Sequence, residues 1–152
     1  MEFLRYKHAR FSARFPATYR YSLSHFWMAE DEGEPGLWRV GFTKFATRML
    51  GELVEAQYGV KTGDPVEPGQ TIGYVEGFKA ASDLFCVMRG AFAGGNPMLD
   101  VDACVVRSSP YEDGWLYAVR GEPEEESVDA AGYIDHLNAL IEKMQEDPKY
   151  AE

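Results

Sequence analysis

The sequence predicts a mostly β domain, an antiparallel sandwich or flattened barrel with a short inner helix and a C-terminal helix. Two observations carry this expectation. Short runs of aromatic and β-branched residues alternate with clusters of Gly, Pro, Asp and Glu, as strands alternate with turns. Helical spacing of apolar residues is confined to the stretch 44–50 and to the segment after Ser127.

Residues 1–15 read as a basic, aromatic extension leading to Pro16, with Phe3, Tyr6, Phe11 and Phe15 set among arginines and a lysine. Aromatic and polar residues mix from 19 to 28 as in a strand. The acidic stretch 30–36 then turns the chain back into a second strand over 37–42. Thr43 stands where a helix cap belongs; Phe45, Ala46, Met49 and Leu50 share one face of a helix over 44–50, and Gly51 ends it. A strand over 52–58 precedes turns at 61–65 and 67–69, and strands over 70–78 and 84–88 follow. Gly90, Gly94, Gly95 and Pro97 break the next segment, and Trp115, Leu116 and Val119 mark a last strand over 114–120. Ser127 or Asp129 caps a terminal helix that places Val128, Ala131, Ile134, Leu137, Leu140 or Ile141, and Met144 on one face. The chain thus divides into the extension (1–15), a β domain (16–126) and a helix (127–152) packed on the same domain.

A chain of 152 residues is long enough for one core and too short to argue for two. The net charge of −10 disfavours nucleic acid, whose phosphates need a basic face. That charge is unevenly spread. Residues 1–20 carry Arg5, Lys7, Arg10, Arg14 and Arg20 against Glu2 alone, a net +4, so the rest of the chain carries −14. No apolar run approaches the length of a membrane span, and Cys86 and Cys104 are too few for a zinc site. They read as two free, buried thiols of a cytoplasmic protein, and the chain as a monomer without nucleic-acid or membrane partners.

Lys79 stands out. Strand-like segments on both sides force a reversal between Phe78 and Leu84, which puts Lys79 near its apex. Ala80, Ala81 and Ser82 leave room for an enzyme to approach, and Glu76 and Asp83 bracket the turn with negative charge. Such an amine suits covalent attachment of a cofactor by a ligase that brings an activated carboxylate. The chain has no phosphate loop, nucleophile triad or metal-ligand spacing of its own; His8 and His136 stand apart from other ligands. A non-catalytic carrier is therefore the reading.

The segment VEGFKAASDLF resembles the lipoylation hairpin of the glycine cleavage system H-protein family. YSLSHFW, VGFTKFATRMLGELVEAQ, GDPVEPGQTIGYVE and PYEDGWLYAV resemble further family motifs in the same order. The resemblance implies the lipoyl/biotinyl hammerhead type of fold and lipoate in amide linkage at Lys79. It also implies a lipoate-protein ligase or lipoyl transferase that reads Glu76, Gly77, Phe78, Ala80 and Asp83. Client enzymes would be an oxidoreductase or a decarboxylase complex. Biotinyl domains flank their lysine with methionines, where Phe78 and Ala80 stand here.

Departures from the family pattern bear on the cargo. The opening motif, Ser24, His25 and Phe26, is the candidate arm cleft, and Phe26 replaces a glutamate that with Asp83 would hold an aminomethyl cargo. Family serine and valine become Gly77 and Phe78, and the segment after the hairpin reads Cys86-Val87-Met88-Arg89-Gly90. Cys86 is a candidate for exchange with the arm's dithiol. These changes favour a lipoate-binding protein of a heterodisulfide-reductase-like sulfur oxidation pathway. The alternatives are the H protein of glycine cleavage, shuttling the aminomethyl group, and an unmodified binding module.

Overall fold

The computed structural model describes residues 1–146; the end of the segment assigned to the C-terminal helix, 147–152, lies outside them. The described chain opens not with an extension but with a hairpin, β1 (Phe3–His8) and β2 (Phe11–Pro16), in antiparallel register from Phe3↔Pro16 to His8↔Phe11. Along it Tyr6, Phe11 and Phe15 turn inward while Arg5, Lys7 and Arg14 stay exposed, the period-2 pattern of a strand with one covered face. The basic residues that suggested an extension are the solvent face of this hairpin.

Strands β3 (Arg20–Ser22), β4 (Phe26–Glu30) and β5 (Leu37–Phe42) form an antiparallel meander. Helix α1 (Lys44–Leu50) follows, then β6 (Leu53–Tyr58), β7 (Pro65–Val66), β8 (Thr71–Gly77), β9 (Ala81–Phe85) and β10 (Met88–Gly95). A 3-10 turn (Pro97–Asp100) and the one-turn helix α2 (Val105–Ser108) lead to β11 (Tyr117–Pro123) and helix α3 (Ala130–Glu146). Two sheets face each other: six strands in the order β3-β4-β5-β11-β10-β7, and three in the order β6-β8-β9. The fold is mostly β, as the sequence predicts.

Alternation along β4 gives the large sheet a core on each face. Phe26 and Met28 join Val40, Ile72, Val75 and Leu84 between the sheets, whereas Trp27 joins the other cluster with Phe15, Tyr21, Phe45 and Tyr133. Gly41, opposite Trp27, is required there: a Cβ would lie 2.5 Å from the indole. The second cluster is roofed by the hairpin and α3. Asp129 caps α3 by accepting from Gly132 N–H at 2.8 Å. The buried face of α3 is Ala130, Tyr133, Leu137 and Ile141, so Tyr133 enters it and Ala131 is exposed.

Two further expectations change. Gly90, Gly94 and Gly95 do not break the chain; they lie within β10. Gly90 pairs with Gly121, and a Cβ on either would lie 2.0 or 1.9 Å from a carbonyl oxygen of the facing strand, so these glycines allow close strand approach. The strand expected over 84–88 is divided, because Cys86 and Val87 carry the chain from β9 in the small sheet to β10 in the large one.

Phe15 is fully buried, with Tyr21 and Tyr133 edge-on to its ring at 5.8 and 5.2 Å. Phe15→Ala is expected to lower the unfolding free energy by about 3–5 kcal/mol in urea titration. A loss below about 0.5 kcal/mol would return these residues to the status of an extension.

Candidate functional site

The reversal between β8 and β9 is tighter than the sequence suggests. Gly77 N–H donates to Ala80 O at 2.8 Å, so only Phe78, Lys79 and Ala80 form the tip, and Ala81, Ser82 and Asp83 already belong to β9. Every one of these residues from Phe78 to Asp83 is exposed. Phe78 is 76% exposed, an unusual position for a phenyl ring. Glu76 lies opposite Ala81 and Asp83 opposite Tyr74; neither carboxylate forms an ion pair with Lys79 among the described residues.

The tip is fastened to the end of α1. Phe78 N–H donates to Glu52 O at 3.0 Å and Lys79 N–H to Leu50 O at 2.9 Å. The Lys79 ammonium donates to Arg48 O at 3.2 Å. Carbonyls of a last helical turn lack intrahelical partners, and a cation is favourable beside them. Lys79 thus completes α1 with both its backbone and its side chain. Two glycines make room. Gly51 has φ +79°, donates to Thr47 O, and sits where a Cβ would be 2.9 Å from Lys79 Cγ. A Cβ on Gly77 would lie 2.2 Å from Leu50 O, which excludes the serine of the resembling hairpins unless the tip moves.

α1 is held in turn by Phe45, which packs edge-on against Phe11 at 5.7 Å, and by Thr43. Thr43 occupies the cap position without capping through its side chain; its hydroxyl lies 2.8 Å from that of Tyr133. Met49, expected on the inner face, is exposed.

Ser24, His25 and Phe26 do not line a cleft at Lys79. The Ser24 hydroxyl lies 2.7 Å from that of Ser22. His25 adopts φ +76° in the β3–β4 turn, with Nδ1 2.7 Å from the Tyr133 hydroxyl and its ring 4.5 Å from that of Phe45. Burial, with His136 beside it, pushes the His25 imidazole down to about 4, so it is neutral at pH 7. Phe26 stacks on Phe42 at 5.3 Å between the two sheets and offers nothing to a solvent-exposed arm.

Cys86 is fully buried and donates to Met88 O at 3.1 Å; burial pushes its thiol up, away from the thiolate that exchange requires. It is a core residue, not an exchange partner. Cys104 is the exposed thiol, contrary to expectation, and its Sγ donates to Glu52 Oε1 at 3.2 Å.

Sequence reasoning missed the seat itself: Arg48, Leu50 and Glu52 act through backbone carbonyls, which leave no side-chain signature. It also missed a cleft of about 1300 Å³ that Lys79 and Phe78 share with α1, α2 and the N-terminal hairpin. Among the described residues, no group of three His, Cys, Asp or Glu is placed to hold a metal ion. No helix there is long and apolar enough to cross a membrane.

The sequence model of the family described as Glycine cleavage H-protein matches residues 19–144. A glycine cleavage system H protein from Micrococcus luteus is 38% identical over 126 residues, covering 81% of this chain and 97% of that protein. One from Kocuria rhizophila is 35% identical over the same shares of the two chains. The crystal structure of a glycine cleavage system H protein from Mycobacterium marinum superposes with a TM-score of 0.72 at 30% identity, covering 82% of this chain and 99% of that one. The preference for a sulfur oxidation pathway finds no support in these likenesses, each of which bears the glycine cleavage name. Its premise at position 26 also fails, since Phe26 is core. Phe26→Glu is therefore expected to cost about 3–5 kcal/mol of stability in denaturant titration, as burial of a carboxylate without a partner does; unchanged stability would restore position 26 to the surface. With a family match over most of its length, and the same fold in a solved member, this chain belongs to the glycine cleavage H-protein family, whose members carry lipoate on a lysine.

Proposed function

We propose that this chain is the lipoyl carrier of a glycine cleavage system, with lipoate joined by an amide to Lys79. The observation that carries the reading is the seat of Lys79: a fixed backbone and an exposed amine at the tip of a hairpin.

The residues present fit such a group. The tip is flanked by the small, exposed Ala80 and Ala81, so a modifying enzyme meets no bulky wall on that side. Glu76 and Asp83, exposed on neighbouring strands, frame the lysine for a lipoate-protein ligase or lipoyl transferase. Acylation turns an ammonium with three donors into an amide with one N–H, still enough to serve one carbonyl such as Arg48 O.

When bound, lipoate supplies a disulfide–dithiol pair at the end of a long tether. The protein's own part is to fix where that tether begins. Gly77 and Gly51 bring the tip against α1, and the Lys79 and Phe78 amides hold it there. A fixed base with a free arm raises the local concentration of cargo at each client in turn, so docking need not be tight. In this reading the chemistry on the cargo belongs to the clients, a decarboxylase complex among them.

Intact-mass measurement after co-expression with a lipoate ligase tests the attachment. One lipoyl increment is expected in the wild type and none in Lys79→Ala. An increment that survives in Lys79→Ala would place lipoate elsewhere, and none in the wild type would favour an unmodified binding module.

A further inference from the structure

Residues 1–18 lie outside the family match, yet the hairpin they contain forms one wall of the cleft beside Lys79. The cleft is lined by six cations besides Lys79: Arg5, Lys7 and Arg14 from the hairpin, Lys44 and Arg48 from α1, and Arg107 from α2. Its carboxylates are Glu52 and Glu112 alone. A surface with that excess of positive charge is unexpected on a protein of net charge −10.

None of the six forms an ion pair with a described residue. Lys44 donates to Ser12 O at 2.7 Å, Arg48 lies over the Phe11 ring at 5.6 Å, and Arg14 over that of Phe3 at 4.6 Å. These contacts orient the cations without neutralising them. Arg5 and Arg14 are moreover directly opposite each other across the hairpin, an arrangement that destabilises a strand pair unless an anion lies against it. All six side chains are exposed.

We propose that this cleft is the docking site for a carboxylate-rich protein surface at the active-site entrance of the client decarboxylase. The inference rests on the carrier function proposed above and adds to it the sign of the partner's charge. The arm's root is in the wall of the cleft, so a client that admits the arm must bring its entrance against this face. Lipoylation removes the charge of Lys79 but leaves six cations against two carboxylates, so the modified protein keeps the attraction. A concave site lined by one sign of charge focuses its field and speeds encounter with the opposite sign. The acidic remainder of the molecule repels the same partner, which orients the approach towards the cleft.

The side chains of Arg5 and Lys7 make no hydrogen bond or ion pair with a described residue, so both can be reversed while the backbone ladder of the hairpin is kept. The test compares lipoylated wild type, Arg5→Glu/Lys7→Glu, and the control Lys61→Glu/Lys143→Glu, which changes net charge equally outside the cleft. The assay is glycine–bicarbonate exchange by the glycine decarboxylase of the same source, with carrier concentration varied. In about 50 mM salt the cleft variant is expected to raise the KM for carrier about tenfold with kcat within about twofold, and the control to change KM by less than about twofold. In about 500 mM salt the difference should largely vanish. Equal KM for wild type and cleft variant, with exchange intact, overturns the docking site alone. No exchange by the lipoylated wild type overturns the carrier reading and with it the client assigned here. Tight binding of pyrophosphate at constant ionic strength, lost in the cleft variant, would assign the cleft to a small polyanion and overturn docking.

Discussion

The site depends on one contact, the fastening of the β8–β9 tip onto the carbonyl end of α1 and the link that follows it. Two amides, those of Phe78 and Lys79, meet two carbonyls, those of Glu52 and Leu50, at 3.0 and 2.9 Å. A hairpin tip of three residues would otherwise have its backbone groups in water and its lysine free to point anywhere. A helix of seven residues would otherwise be marginal, with several carbonyls unpaired. Each element supplies what the other lacks, and the conformational freedom of Gly51 and the bare Cα of Gly77 are the conditions for their approach.

That contact is only as firm as α1, and α1 is held from behind. Phe45 and Thr43 tie it to Tyr133 of α3 and to Phe11 of the N-terminal hairpin, within the cluster that also holds Tyr21 and Trp27. The second face of the large sheet therefore supports the lysine indirectly. It also explains the neutral, half-buried His25: its ring fills space between Phe45 and Tyr133 and its Nδ1 meets the Tyr133 hydroxyl. The hairpin has two faces with two duties, aromatic residues that close this cluster and basic residues that wall the cleft.

Much of this was legible in the sequence where side chains carry the signal. The strands flanking Lys79, the helix over 44–50 and the terminal helix follow from periodicity and from Gly and Pro punctuation. What was not legible depends on long-range packing. Gly90 looks like a breaker, and only the facing strand, with Gly121 opposite, shows that it allows close approach. Phe26 is a candidate for the arm cleft by resemblance, but strand alternation sends it inward beside Phe42. Arg5 to Arg14 look like an extension because their charges dominate, while Tyr6, Phe11 and Phe15 between them form the buried face. The seat of the lysine is made of backbone carbonyls, about which residue identity says little.

Hydrogen exchange of single amides in the unmodified protein tests the central claim most directly. If the tip is fastened to α1, the Phe78 and Lys79 amides are protected to a degree comparable with the β8 ladder, although both residues are exposed at a turn. Exchange of these two amides at the rate of a free loop, with β8 still protected, would contradict it.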